Sequence, residues 1–544
     1  MNTRMLSSRL IFACLLVAPT LIPARIQAQT CETPAFQPVT GNGVIEWNKF
    51  PDFSLPFKVI FGGPRGNDAS QTPLRKGFSH LANFSGTDGT QLPAQNRAIL
   101  WYGTATGLGQ PWETIESPWA NNMNAYRNKW AENLRSFAAL FSDSQGKAFP
   151  NADMLMVDIE RHYNTNDSIL SLKRRNLVPA PYSALPDAAF LTRYQRDMQN
   201  LYAAPLKYMR DNGLPASVKL TSYADVPIRN TFVNVDGNSW QDWTTNPDRV
   251  HYLTKDTVTN NVGGSFYNYQ DFLLPSAYYL YDSPSPFAGN YLSYLLFQVE
   301  ANKAWSKKDI IPIVWLRYTS TLNGVPIRNW MAEATAIFPF FSGAKGIWVW
   351  ESPVHFNPTD NLAMYEYFIQ GLYRLSQFKD FFDGGTIYIP KSARDHFADR
   401  DPIWRGVVKG NRILIAAHAP FASDNQTTTL TARYGAWQQT LTLKGHETLL
   451  CAFDIPETAN NVLTLKPYPN PGRGNLTAEV FSSAARLARL QVVSLSGQVL
   501  LDTSVQLAAG VTNLPLSAYS LPAGLVVVRI SDGTTHASSR LLIR

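Results

Sequence analysis

The chain has 544 residues, with 48 Lys and Arg against 41 Asp and Glu, a formal charge of +7 and 45% hydrophobic residues. That length allows several domains with sizeable cores, and a mild positive balance without any Lys/Arg block argues against a nucleic-acid partner. The 14 Trp and 24 Tyr suit sugar-stacking surfaces and equally suit a large apolar core.

The first 28 residues read as a targeting signal. Arg4 and Arg9 precede an apolar core from Leu10 to Ile22, and Ile26-Gln27-Ala28 offers a small residue for cleavage before Gln29. That core is too short to span a bilayer as a mature helix, and no later segment is long and apolar enough, so no transmembrane segment is expected in the mature protein. Cys14 would leave with the leader, and Cys31 and Cys451 would remain. Export permits a disulfide between them, tying the mature N-terminus to a distant strand; two unrelated buried thiols are the alternative. Neither cysteine has CxxC or CxxH spacing, and the histidines, His162 and His355 included, show no HExxH pattern. No metal and no cofactor are therefore expected.

From residue 29 to about 380, strand-like runs alternate with helical ones. The strands are expected at Phe57–Phe61, Phe78–Phe84, Ala98–Tyr102, Met154–Asp158, Ser217–Ser222, Phe272–Tyr278, Ile310–Leu316 and Gly346–Trp350. Helical patterns fall at Asn124–Phe141, Ala188–Asp211, Gly289–Trp305, Ile327–Phe341 and near Asn361–Phe378. Eight such units predict an α/β fold, a (β/α)8 TIM-like barrel. An open doubly wound sheet is the rival, but no glycine-rich phosphate loop follows the first strand.

Met154-Leu-Met-Val-Asp-Ile-Glu160 carries the chemistry. Side chains alternate along a strand, so Asp158 and Glu160 point the same way from its end. In a parallel barrel the C-terminal strand ends hold the active site, and two acids there suit cleavage of a glycosidic bond. Adjacent acids repel, so one is expected to keep its proton near neutral pH. Other strand ends supply Tyr223, Tyr278, Trp315, Arg317, Trp348, Trp350 and Glu351. Aromatic faces can take the C–H faces of a pyranose while polar tips fix its hydroxyls. Each residue also has a structural alternative: the acids as caps or partners of Arg161, the tyrosines at the core edge, Arg317 as a partner for an acid, the tryptophans as barrel filling.

The D-x-E of Met154–Glu160, Leu274-Pro-Ser-Ala-Tyr278, Trp315-Leu-Arg317 and Gly343-Ala-Lys-Gly-Ile-Trp-Val-Trp350 together resemble the strand-end motifs of animal and venom hyaluronidases, in order. Ile99-Leu-Trp-Tyr102 followed by Gly107-Leu-Gly109 falls where that family has a comparable pattern. The resemblance spans roughly residues 55–352 in short islands. Arg161-His162-Tyr163 and Glu351 depart from the family's pattern, and its disulfide cysteines are absent. Carried over, the resemblance makes Glu160 the proton donor to the leaving oxygen. Asp158, remaining charged, would orient the acetamido group of the substrate, whose carbonyl oxygen attacks the anomeric carbon. Tyr223 and Tyr278 would hydrogen-bond that group; Arg317 and Trp350 would shape the subsite.

From about 381 to 458 the pattern becomes strands only, an accessory β-sandwich with strands at Ile387–Ile389, Trp404–Lys409, Arg412–Ala417, Thr427–Tyr434, Gln438–Leu443 and Thr448–Phe453. Residues 463–544 form short alternating strands, expected to make a second small β-sandwich. Tyr468-Pro-Asn-Pro471, the strand-like Ser494-Leu-Ser-Gly497-Gln-Val-Leu500, Leu521-Pro-Ala-Gly524 and the basic tail Ser539–Arg544 resemble the C-terminal sorting domain of the type IX secretion system. That resemblance implies the secretion machinery as a partner and a secreted or cell-surface location.

The expected function is a secreted glycoside hydrolase that cleaves an N-acetylhexosamine-containing polysaccharide with retention, assisted by the substrate. Two alternatives stand beside it. One is a retaining enzyme on a neutral polysaccharide with Glu160 as acid and Glu351 as nucleophile. The other is a non-catalytic surface protein that binds glycan.

Overall fold

The computed structural model describes residues 29–31, 44–65, 70–109, 112, 114–160, 164–229, 231–356, 361–456, 461–474 and 476–544. The expected leader and Arg161-His162-Tyr163 lie outside the described residues. The first strand, β1 (Gln29–Cys31), belongs to a sheet formed much later in the chain. The parallel strands follow: β2 (Lys58–Gly62), β3 (His80–Leu81), β4 (Ala98–Trp101), β5 (Met154–Val157), β6 (Lys219–Ser222), β7 (Phe272–Leu273), β8 (Asp309–Ile310), β9 (Ile313–Trp315) and β10 (Gly346–Trp350). Each lies within or beside an expected run; β8 and β9 together occupy the seventh.

All their pairings are parallel. β2 pairs with β3, β4 with β5, β5 with β6, β7 with β8, β9 with β10, and β10 with β2. Single parallel bridges supply the remaining steps: Leu81 to Arg97, Tyr223 to Leu274 and Ser276 to Ile313. Taken in order, these pairings start and end at β2. The period of two along each strand sorts its side chains. Ile60, Ala98, Met154, Met156, Ile313 and Trp348 pack into one inner cluster. Their neighbours Val59, Phe61, Ile99, Leu155, Val157, Val314 and Val349 join a larger cluster with the helices.

The helices Met123–Ala139, Asp187–Asp211, Asn290–Trp305, Asn329–Phe341 and Ala363–Ser376 match the expected ones closely. Asn290–Trp305 and Asn329–Phe341 are buried on nearly every side. A helix apolar all round must be covered on its outer face as well. The cover comes from the next sheet, ordered β1, β16 (Thr448–Asp454), β13 (Arg412–His418), β12 (Ile403–Lys409) and β11 (Thr386–Tyr388). Its residues Ile403, Val407, Leu414, Ala416, Leu450 and Ala452 belong to the same core as those helices. Arg405 of β12 reaches in to Glu300, with Nη2 donating at 2.9 Å and Nε at 3.1 Å.

The opposite face of this sheet, through Ile413, Ile415, Cys451 and Phe453, packs on the hairpin β14 (Thr427–Tyr434) and β15 (Trp437–Lys444). β1 runs antiparallel to β16 with Cys31 opposite Cys451, and the two cysteines form a disulfide. The region was expected to hold strands only, yet it contains a helix, Ala393–Asp399. Ser392 Oγ accepts from Asp395 N at 3.1 Å, a capping pattern readable in Ser-Ala-Arg-Asp.

The last residues form two further antiparallel sheets. β17 (Leu463–Tyr468), β18 (Thr477–Ser482) and β21 (Gly510–Pro515) make one; β20 (Val499–Leu507), β19 (Arg486–Ser494), β22 (Gly524–Ser531) and β23 (His536–Ile543) make the other. They share a separate core that includes Ala478, Val492, Val528 and Leu541. Ser494–Leu500 is a hairpin turn entering β20, not a single strand. Gly497, at φ 86, takes the left-handed conformation such a turn needs, and Ser494 N donates to Gln498 O at 2.9 Å.

Candidate active site

The C-terminal ends of the parallel strands bring the expected residues into one mouth. β5 delivers the acids. Asp158 N still donates to Trp101 O of β4 at 3.1 Å, so the strand geometry carries one residue past Val157. Asp158 is half-buried, Ile159 buried and Glu160 exposed. Asp158 Oδ1 is sealed from solvent with no hydrogen-bond partner among the described residues. Burial chiefly, then the charges of Glu160 and Asp225, raise the Asp158 carboxyl from 3.8 to about 7. The expectation that Asp158 stays charged therefore holds only in part for the open site, where the carboxyl is about half ionised near neutral pH. The cause is chiefly desolvation of this deeper acid, with repulsion between the two acids adding to it.

Tyr223 and Tyr278 face this pair. The Tyr223 hydroxyl lies 3.2 Å from Ser276 Oγ, and burial pushes its pKa to about 12. Burial holds Tyr278 well above the ordinary tyrosine range. The charges of Asp158 and Glu160 act on both phenols in the same direction. Both stay protonated at neutral pH and can donate hydrogen bonds.

Tyr278 stacks on Trp350 with centroids 5.8 Å apart, and Trp315 meets Trp350 edge-on at 5.1 Å. Tyr223 is 6.2 Å from Tyr278. Trp350 is half-buried at the rim, whereas Trp348, two residues earlier on the same face, is fully enclosed in the inner cluster. The two tryptophans thus divide the alternatives between them: one fills the interior and one lines the mouth.

Arg317 and Glu351 stand behind this lining. Arg317 Nε donates to Glu351 Oε2 at 2.7 Å, and Arg317 Nη1 to Gly324 O at 3.0 Å. Glu351 also accepts from Trp315 Nε1 at 2.5 Å, Ser352 N at 2.9 Å and the Tyr365 hydroxyl at 3.2 Å. A carboxylate that is 3% exposed and holds four donors has no lone pair aimed at a sugar. The geometry therefore opposes Glu351 as a nucleophile. Arg317 was expected to shape the subsite, with pairing to Asp158 or Glu160 as the alternative, and its carboxylate partner is Glu351. The pair instead fixes the Trp315 ring.

Asp225 went unnoticed in the sequence. It sits on the loop after β6, fully buried, accepting from Ser222 Oγ at 2.7 Å and paired with Arg229 at 3.2 Å. Ala224 before it holds φ 56, unusual for a residue with a Cβ. The available signal was an acid two residues past a strand-end tyrosine. Tyr102, just past β4, was named only as part of a motif and proves 74% exposed beside the acids' strand. Among the described residues no group of three or more His, Cys, Asp or Glu could hold a metal ion, and no helix is long and apolar enough to cross a membrane.

Residues 466–544 match the family described as the secretion system C-terminal sorting domain. This end of the chain is thus similar to type IX sorting domains, which indicates export to the cell surface or beyond. No curated protein matches the sequence. Among solved structures, bee venom hyaluronidase is 15% identical over 58% of this chain and 99% of its own, with a TM-score of 0.39. A glucosidase from Croceicoccus marinus is 12% identical over 86% of this chain and 96% of its own, at 0.26. An endo-beta-1,4-mannanase from Cellulomonas fimi is 12% identical over 82% and 77%, at 0.27. Scores of this size carry no argument, and the case for the site rests on its own geometry.

Proposed function

We propose that the parallel strands form a (β/α)8 barrel whose mouth cleaves a polysaccharide beside an N-acetylhexosamine, with retention and with the substrate's acetamido group as nucleophile. The observation that carries this reading is the acid pair. Asp158, its carboxyl raised to about 7, lies behind an exposed Glu160, in a mouth of neutral phenols and indoles.

A sugar seated on Trp350 and Tyr278 would strip water from Glu160 and impose on it the desolvation that Asp158 already bears. The proton shared by the pair then passes to Glu160, which donates it to the leaving oxygen as the glycosidic bond breaks. Asp158, now a carboxylate, accepts the acetamido N–H and stabilises the cation formed when the carbonyl oxygen closes on the anomeric carbon. Tyr223 and Tyr278 supply phenolic donors to the same group. Water then opens the cyclic intermediate, returning its proton to Glu160 and leaving the original configuration. No carboxylate nucleophile is required, which accords with Glu351 being fully engaged elsewhere.

Incubation with hyaluronan, chondroitin, chitin oligomers and neutral glucans tests this, with the product anomer followed by NMR. Release of acetamido-sugar products by wild type but not by Glu160→Gln supports the reading. Cleavage of a neutral glucan alone sinks substrate assistance, and binding without turnover by wild type points to a surface glycan-binding protein.

A further inference from the structure

The loops leaving β6 and β7 carry a second set of aromatic side chains that the acid pair does not use. Tyr294, on the helix Asn290–Trp305, ties them to the mouth. Its hydroxyl donates to Ser276 O at 3.4 Å, and Ser276 Oγ is the group beside the Tyr223 hydroxyl. From there the rings follow in file. Phe232 lies 4.9 Å from Tyr294 and 5.3 Å from Tyr281, and Tyr281 lies 5.4 Å from Phe287. The guanidinium of Arg400 sits 5.0 Å from the Phe287 centroid. Phe232 and Tyr281 are half-buried and Phe287 is 40% exposed, so the file opens to solvent as it leaves the mouth.

The file stands on a fixed shelf. Asp282, next to Tyr281, takes two bonds from Arg328 at 2.9 Å and one from the Tyr318 hydroxyl at 2.9 Å. Phe397 packs on Phe232 from the far side at 5.3 Å. Arg400 is held at φ 53, a left-handed conformation unusual for a residue with a Cβ, and its N–H donates to His396 O at 2.9 Å. Core packing explains Phe232 and Phe397. It gives no reason to leave Phe287 on the surface, capped by a cation on a strained turn.

We infer that Phe232, Tyr281, Phe287 and Arg400 form a remote subsite for the glycan chain running outward from the acid pair. The ring faces take the C–H faces of successive sugars, and Arg400 donates to sugar oxygens at the outer end. Phe397 and Arg400 come from the segment that follows the parallel strands, so that segment completes the site. The inference rests on the glycosidase reading and deepens it to a polymeric substrate.

Calorimetric titration of the Glu160→Gln protein with hyaluronan and chitin oligosaccharides, from disaccharide to decasaccharide, tests it. Added to that background, Phe287→Ala is expected to weaken decasaccharide binding about tenfold and leave the disaccharide unchanged, with Arg400→Ala following the same pattern. Equal affinities at every length in both variants overturn the subsite while the glycan reading stands. An equal loss at every length also overturns it, because the change has then reached the mouth. If no oligosaccharide of any length binds, the glycan reading falls and takes the subsite with it.

Discussion

Asp158 and Glu351 are both enclosed carboxyls at strand ends, yet the protein treats them in opposite ways. Asp158 Oδ1 meets no donor among the described residues and the carboxyl resists ionisation, while Glu351 is given four donors, one of them the cation Arg317. Replacing each by its amide should separate these states. Well below pH 3.8 Asp158 is protonated in both folded and unfolded chains, so Asp158→Asn should leave stability nearly unchanged there. As pH rises from 3.8 to about 7, only the unfolded chain ionises, and above that the native state holds a disfavoured buried charge. The native protein thus loses stability across that window, by up to about 4 kcal/mol, and Asp158→Asn should recover it. Denaturant melts at pH 4 and pH 8 check this; equal effects at both values would count against the raised carboxyl. Glu351→Gln should do the reverse, leaving Arg317 buried without its counter-charge and costing about 3–5 kcal/mol near neutral pH. Glu160→Gln, on an exposed side chain, should change stability by less than about 0.5 kcal/mol.

Elements were more legible than their contacts. The short apolar runs of Met154–Val157 and Gly346–Trp350 announce strands, and long amphipathic stretches such as Asp187–Asp211 announce helices. The convergence of Tyr223, Tyr278, Trp315 and Trp350 followed from their strand-end positions. What escaped depends on partners distant in sequence. The pairing of Arg317 with Glu351 needs the last parallel strand to lie beside β9, and the proton's place on Asp158 needs depth, which alternation alone does not report. The helix Asn329–Phe341 is buried on nearly every side, and the strands that cover it come from much later in the chain. The Cys31–Cys451 link was one of two readings the remaining cysteines allowed, and it closes a sequence separation of 420 residues. Cys31→Ser should release β1 from β16 and lower stability by about 2–4 kcal/mol, read by thermal melting. Glycan binding at the mouth should persist, because neither β1 nor β16 supplies a residue to it.

At the scale of the whole molecule, the segments after residue 380 are not equal appendages. The sheet built from β11, β12, β13 and β16 shares its inner face with the core under the helices Asn290–Trp305 and Asn329–Phe341. It also contributes Arg405, which neutralises the buried Glu300, and Glu300 in turn accepts from Ser342 Oγ at 2.7 Å and Ala393 N at 2.8 Å. Ending the chain at 380 would strip that face, expose Phe338 and Phe341, and strand Glu300 without a cation. Losing one buried Leu or Phe typically costs about 2–5 kcal/mol, and several would be lost together. Such a truncation should be insoluble or unfolded. The sheets from β17 onward have their own core, and Val462 and Phe481 are the buried apolar residues they add to the neighbouring cluster, where Phe481 packs on Tyr388 at 5.1 Å and on Tyr434 at 6.4 Å. A chain ending at 456 should therefore stay folded and free of aggregation by circular dichroism and gel filtration. It should melt within a few degrees of the full chain and keep the proposed glycan activity, since the mouth and the proposed outer subsite lie wholly before residue 401. Loss of the melting transition at 456, or a well-folded product at 380, would reverse the assignment of which segment completes the core.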